Sequence, residues 1–547
     1  MYFDLPITST EHPPEFTSAA ECREWLQALT LTQPVQNQAL FLRQLSLLIR
    51  FTLSAAERFS ILEALRSSIH KTQNLVAKKF IDKPLPLSPP EQAALDSTLA
   101  IWQSLFANYL QCIEVYTLEE PYPKALPLPT RKNATAIQRA LTMLAEAQIY
   151  LIYGKRLPDF GYWKKLHQIF LFAESNNLIH EKIKDPLRYG KHLVTPLAVY
   201  AECHLLYIVS PYEFTSRDLV WVARWTQRWG TKIKLLREPP EDISNCAHPL
   251  WVDLNSDQPA DYAPQDTQEG RWLETTALRV SLTSRIALLA QGRPPNELQL
   301  GNDVTQPNVS RLLTHLLHRW CQGGSTRKHI RQRASGHCHF IVSYEAAHFH
   351  LSGQRQVQSA PKDDSSRREE REKLALFGDS SHRLDIAAAT PNALPVEAWR
   401  IMEDWNLLDT SAAGLRISRP IKEGVRIAIG TLVAARTETS KNFTLGCVRW
   451  TLRQDTNSLA VGIQLFPGEA KAIMARIVTA EHLPHRPAFF IEANESTESP
   501  ASLVLPVGSF QIGRRIEIMR TSAEVVTLTH LVAHGSEFEC ATFTTEA

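Results

Sequence analysis

Along the first 240 or so residues, apolar positions recur at intervals of three and four. After Ser54 the residues Phe59, Leu62, Leu65 and Ile69 form one stripe, and Ile101, Leu105 and Tyr109 repeat the pattern after Ser88. That spacing predicts amphipathic helices, each burying one face. Three segments open with Ser-x-x-Glu: Ser18–Glu21, Ser54–Glu57 and Ser88–Glu91. In each, the serine hydroxyl can accept from a free N–H of the first turn while the glutamate reaches back. Pro89 and Pro90 fall in the first turn of the third helix, where a missing N–H costs little. No fixed-period repeat is present, so residues 1–240 read as a helical domain and not as a solenoid.

One helical stretch, RDLVWVARWTQRWG, sets Trp221, Trp225 and Trp229 four apart, with Arg224 and Arg228 between them. An aromatic-basic docking face is one reading. An amphipathic helix with its tryptophans in the core and its arginines in water is the simpler one. Residues 241–325 change character and read as a connecting segment of mixed structure. It includes an acidic loop over Asp253–Gly270 and a helix over Val304–Cys321. The run GGSTRKHIRQR then looks like a flexible joint, glycine followed by dense positive charge.

Past this joint the period becomes two. CHFIVSY (338–344) and HFHLSG (348–353) read as paired strands. GLRISR (414–419), VRIAIG (425–430), TLVAARTE (431–438), FTLGCVRWTLR (443–453) and LAVGIQLF (459–466) continue the pattern with short turns. GEAKAIMARI (468–477) reads as a helix. Several short strands with regular turn signals predict a small closed barrel over 326–480. The charged, aperiodic stretch 353–395 reads as a mobile insertion in it. ASLVLPV, RRIEIMR and EVVTLTHLV mark a further β segment over 484–547. The fold class is therefore multidomain α+β: an all-helical domain, a small antiparallel barrel and an additional C-terminal β segment.

Composition narrows the function classes. At 547 residues the chain is long enough for two to four domains. Lys+Arg is 59 against Asp+Glu of 57, so any site for a polyanion must be local. The eight cysteines form no CxxC pair and read as buried free thiols in a reducing compartment. No signal peptide or spanning segment is evident, and a cytoplasmic protein without membrane insertion is expected.

Two motifs carry candidate chemistry. Arg327-Lys-His-Ile-Arg331 is an RxxxR pair in the segment that leads into the barrel. Asp409-Thr-Ser411-Ala-Ala-Gly414 is a D-x-S-x-x-G at the mouth of a strand. With LGCVRW (445–450) and VGIQLF (461–466), these residues make the stretch 325–480 resemble PilZ domains, the bacterial receptors for cyclic di-GMP. The resemblance implies a PilZ-like barrel and a non-enzymatic effector with cyclic di-GMP as ligand. It implies no cofactor, no metal and no catalytic residue. It places ligand binding on Arg327, Arg331, Asp409, Ser411 and Gly414.

The residue types suit such a ligand. Arginine offers a planar fork of donors to phosphate oxygens or to the O6/N7 edge of guanine, and its face stacks on purines. Asp409 can accept from guanine N1 and N2, Ser411 adds a hydroxyl, and Gly414 removes a side chain where backbone turns or approaches closely. Arg333, Arg416 and Trp450 are further candidates; each reads equally as an exposed charge or a barrel-rim aromatic, and Trp405 reads as either stacking platform or core. A second RxxxR, Arg367–Arg371, encloses Glu369 and Glu370 and reads as a solvated face.

About 77 residues separate Arg331 from Asp409, and the excess falls in the insertion. His337, His339, His348 and His350 alternate on two expected strands; without further ligands they read as strand histidines and not a metal site. No GxSxG, P-loop or HExxH is present, nor any signature of cyclic di-GMP turnover enzymes. The expected function is a cytoplasmic effector in which ligand clamps the RxxxR hinge onto the barrel. The helical domain then reorients and signals to a protein partner, of motility, pilus or surface-attachment machinery. The alternative is an interaction scaffold whose degenerate barrel binds protein. A nucleic-acid binder fits less well, because no basic-aromatic stripe runs along the strands.

Overall fold

A computed structural model describes residues 3–29, 32–119, 129–189, 193–240, 247–263, 270–324, 331–353, 402–421, 424–455, 457–479 and 484–545. The chain divides into two compact units: 1–83 with 87–326, and 84–86 with 327–547.

The first unit holds helices α1 (Ala19–Ala28), α2 (Pro34–Leu48), α3 (Ala55–Ala77), α4 (Pro89–Glu119), α5 (Pro129–Tyr153) and α6 (Tyr162–Ser175). After the paired strands β1 (Ile183–Lys184) and β2 (Leu193–Val194) come α7 (Pro196–Ile208) and α8 (Ser216–Trp229). Strands β3 (Lys234–Leu236), β4 (Leu250–Asp253) and β5 (Gly270–Glu274) make an antiparallel sheet in the order β3-β5-β4. Helices α9 (Thr276–Ala290) and α10 (Asn308–Cys321) follow. The predicted capping boxes form in part, with Glu21 and Glu57 bonding the Thr17 and Ala19 N–H groups instead of the serines' own. Ser18 Oγ accepts from the Glu21 N–H and Ser54 Oγ from the Glu57 N–H, both at 3.2 Å, while Glu91 accepts from the Ser88 N–H at 2.7 Å.

One core runs through this unit. Phe59, at the edge of the α3 stripe, packs against it, and Leu62, Leu65 and Ile69 lie in it with Ile101, Leu105 and Tyr109 of α4. Trp221, Trp225 and Trp229 are buried in the same core, and Trp225 Nε1 donates to the Leu300 carbonyl at 2.9 Å. The tryptophan stripe is thus core and not a docking face. Residues of β4, α9 and α10, from the 241–325 segment, join it as well.

The second unit contains β6 (Gln332–Arg333), β7 (His337–Val342), α11 (Tyr344–Leu351), β8 (Met402–Ser411), β9 (Gly414–Pro420), β10 (Leu432–Thr437), β11 (Thr444–Arg453) and β12 (Ser458–Leu465). Six further strands complete it: β13 (Ala470–Ile477), β14 (Arg486–Ile491), β15 (Ser502–Pro506), β16 (Arg515–Met519), β17 (Ala523–His534) and β18 (Phe538–Thr545). The order β8-β7-β10-β11-β12-β9 closes on itself through β8–β9 pairing, and β6 extends the β7 side of β8 beyond His337. A second antiparallel barrel closes in the order β13-β14-β15-β18-β17-β16. Helix α11 packs where the two barrels share a core, with Tyr344 and Ala347 among Leu432, Phe489, Val504 and Phe538.

Three sequence expectations are corrected here. HFHLSG (348–353) is not a strand, because His348 and His350 ride on α11. Ser343 caps that helix by accepting from the Ala346 N–H, and His348 Nε2 donates to the Ile473 carbonyl at 3.0 Å. Its alternation of aromatic and polar residues mimicked a strand. VRIAIG (425–430) forms no strand. GEAKAIMARI (468–477) is strand β13 and not a helix: pairing with β14 and β16 and inward burial of Ile473 and Ala475 override its helix-forming residues. The insertion 353–395, apart from Gly353, lies outside the described residues, as does the Arg367–Arg371 pair.

Candidate functional site

The D-x-S-x-x-G motif is the hairpin between β8 and β9. Ser411 pairs with Gly414 across two residues, and the serine hydroxyl donates to the Gly414 carbonyl at 3.3 Å. A side chain at Gly414 would start 2.6 Å from the Ile463 carbonyl oxygen. The close approach that demands glycine is therefore to the neighbouring strand β12. Ser411 closes the turn, and its hydroxyl remains half-buried beside Asp409.

Strand register then builds the site. Arg333 on β6 pairs with Asp409 on β8. Asp409 pairs with Arg416 on β9, Arg416 with Gly462 on β12, and Gly462 with Trp450 on β11. Residues directly opposite one another in antiparallel strands share a face. The row Arg333–Asp409–Arg416–Gly462–Trp450 therefore crosses the barrel exterior. The next row, Leu415–Ile463–Val448, is buried inside. A bulge interrupts pairing at Leu407/Asp409 and another at Val448/Trp450, one at each end of the row. Bulges re-aim side chains, and here they flank both the acid and the aromatic.

Two details of the row stand out. A Cβ at Gly462 would lie 2.2 Å from the Trp450 indole, so the missing side chain lets the ring rest on the strand beside Arg416. Arg331, just before β6, brings its guanidinium 3.1 Å from Asp409 Oδ1, and Arg416 lies 3.7 Å from Oδ2. These contacts are ionic but poorly directed: Asp409 Oδ1 and Arg416 Nε are both buried without a hydrogen-bond partner. An acceptor and a donor with unmade bonds sit side by side, each costing free energy until something completes it.

Of the predicted residues, the structure brings Arg331, Asp409, Ser411 and Gly414 together, with Arg333, Arg416 and Trp450 alongside. Arg327 lies outside the described residues. Trp405 is core: fully buried, it packs edge-on against Phe340 at 5.2 Å and cannot stack a ligand. His337 contacts Asp404 at 2.9 Å on the surface, and no group of metal-ligating side chains occurs among the described residues. Sequence reasoning missed Gly462 as the seat of Trp450; the signal was present in VGIQLF but needed the register.

Three family models match the chain. The N-terminal domain of the cyclic-di-GMP receptor FimW matches residues 20–241, its middle PilZ domain matches 250–405, and the FimW C-terminal β-barrel domain matches 473–545. The chain belongs to the FimW family of cyclic-di-GMP receptors. That PilZ-containing family accounts for both the helical unit and the two barrels. The match to the FimW middle domain ends at 405, and strand pairing carries the first barrel on to Leu465, so the Asp409 hairpin comes after the matched segment. The match to the FimW C-terminal barrel begins within β13. No curated protein matches the chain. Among the described residues no helix is long and apolar enough to cross a membrane.

Proposed function

We propose that the first barrel binds cyclic di-GMP along the row Arg333–Asp409–Arg416–Trp450, with Arg331 and Arg327 closing over the ligand as a clamp. In this reading Asp409 exchanges its loose ionic contacts for the N1 and N2 donors of one guanine. The arginines turn their forks to phosphate oxygens or to the guanine O6/N7 edge, and Trp450 stacks a base. Engagement of Arg327 and Arg331 by the ligand then passes to the helical unit as a shift in its orientation and exposes or hides a surface for a protein partner.

The observation that supports this most directly is the pairing of an unsatisfied Asp409 oxygen with an unsatisfied Arg416 nitrogen beside Arg331. A ligand offering both a donor edge and an anion completes both groups at once. Charge-assisted hydrogen bonds of about 1.5–3 kcal/mol and base stacking of about 1–3 kcal/mol are sufficient for micromolar affinity.

Calorimetric titration of cyclic di-GMP tests the reading. Wild type binds, and Arg331→Ala and Arg327→Ala weaken binding by roughly 10–100-fold. Equal heats from wild type and both variants would remove the clamp from the mechanism. No heat from wild type, together with a protein retained on it from lysate, would favour the scaffold reading, in which the barrel binds protein.

A further inference from the structure

The helical unit contains a second place with unmade polar contacts, and the cyclic di-GMP reading makes no use of it. A groove of about 680 Å³ lies between α3, α5, α8 and the loop after β1. Helical spacing builds its walls. His70, Asn74 and Ala77 share one face of α3, and Glu146, Ile149, Tyr150 and Tyr153 share one face of α5. The rim is apolar and open, with Leu187 38%, Tyr189 46% and Val220 43% exposed.

The floor is polar and incompletely paired. Beneath it the other charges pair off: Arg66 and Arg139 with Asp185 and Glu63, and Arg188 with Glu202. On the wall Arg224 is engaged by Asp303 at 2.6 Å. Glu146 is the carboxyl left over: burial raises it to about 7, and the Arg188 and Arg66 charges offset this only in part. Among the described residues it makes no hydrogen bond or ion pair, and it lines the groove. His70 lines it too, and its Nε2 is buried without a partner. Burial and the nearby Arg66 charge push His70 down to about 4, so its ring is a neutral acceptor or donor at ordinary pH.

We infer that this groove binds a cationic head, a primary ammonium or a guanidinium, carried on a short apolar stem. The head meets the Glu146 carboxylate and gives one N–H to His70 Nε2. The stem lies along Tyr153, Val220 and Leu187. An anionic head would meet Glu146, which repels it once ionised. A wholly apolar ligand would leave Glu146 and His70 as they are and add a dehydration cost. The same head and stem could be those of a small free amine or of a Lys or Arg side chain on another protein.

The full chain is titrated with n-pentylammonium, n-pentylguanidinium, neutral 1-hexanol and the capped tripeptide acetyl-Ala-Lys-Ala-amide. Binding is followed by ligand-detected NMR and by the unfolding temperature. Either cation or the tripeptide binds wild type, and 1-hexanol binds at least about tenfold more weakly. Glu146→Gln loses the preference for cation over alcohol. Val220→Trp, at an exposed rim position that does not threaten folding, blocks every probe. A free amine binding with the tripeptide silent assigns the groove to a small ligand; tighter tripeptide binding assigns it to a partner's side chain. Equal binding of 1-hexanol and the cations, cation binding unchanged in Glu146→Gln, or no binding by any cationic probe overturns the inference.

Discussion

Asp185 in the helical unit and Asp409 on the barrel each stand between two arginines, yet the two triads are made differently. Asp185 is fully buried, with Arg66 at 2.9 Å and Arg139 at 3.0 Å, and Gln138 and the Leu187 N–H complete its oxygens. Asp409 is 14% exposed, meets Arg331 and Arg416 at 3.1 and 3.7 Å, and keeps one oxygen unsatisfied. A dry triad whose acid is fully bonded fixes geometry: removing one member strands buried charge. A loose triad at the surface costs little to rearrange, as the proposed exchange with a ligand requires. Burial of the acid and the bonding of its oxygens, not residue type, separate the two triads.

The largest expected effect breaks the first side of that contrast. Asp185→Ala leaves Arg66 and Arg139 buried without their shared counter-charge, and the helical unit loses about 3–5 kcal/mol. Urea unfolding followed by tryptophan fluorescence reads it, since the unit buries Trp102, Trp221 and Trp225.

Acid and base should then act on this unit in opposite senses. Burial raises the Asp185 carboxyl, but Arg66 and Arg139 outweigh it and hold the group down to about 2, against 3.8 when unfolded. The folded state there binds fewer protons, so the stabilisation is complete above about pH 4 and is lost as pH falls toward 2. Glu146 is the reverse. Burial raises it from 4.5 to about 7, offset only in part by Arg188 and Arg66. The folded state holds its proton longer, so stability declines as pH rises from 4.5 toward 7. At about 1.4 kcal/mol for each tenfold change in proton affinity, the limbs are at most about 2.5 kcal/mol for Asp185 and about 3.5 kcal/mol for Glu146. His70, lowered from 6.5 to about 4, acts the other way over nearly the same range. The Glu146 limb is therefore read as the difference in unfolding temperature between wild type and Glu146→Gln, which should grow as pH rises from 4.5 to 7, while the Asp185 limb shows directly below about pH 4.

On the barrel the effect moves from stability to binding. Asp409→Ala should change stability by less than about 1 kcal/mol and weaken cyclic di-GMP by roughly 10–100-fold. A loss of barrel stability as large as that of Asp185→Ala in its own unit would erase the distinction between the triads. The smallest effect sharpens it. Gly462→Ala places a methyl 2.2 Å from the Trp450 ring, so the half-exposed indole must lift from the strand. Its emission should shift to the red, with about 2–10-fold weaker ligand binding and little change in unfolding.

Much of this was legible in the sequence where the signal is local. The serine caps, the α3 stripe and the two-residue alternation of β9, β11 and β12 are each set by neighbours a few residues away. The site was half legible. D-x-S-x-x-G marked the Asp409 hairpin, but the row that joins it to Trp450 depends on two bulges and on closure of β8 against β9. Those are long-range pairings with no local signature. The same reason explains α11 and β13: alternating aromatics suggested a strand where packing at the barrel junction made a helix, and helix-forming residues entered a barrel because two partner strands awaited them.

The ring of six strands is complete without β6, which is only two exposed residues hung on the flank of β8. Peeling it away would uncover no core and sacrifice only a few main-chain bonds, and the barrel would remain shut. Under the proposed clamp, Arg331 would be held like a tab on a sealed container, one whose release leaves the vessel shut.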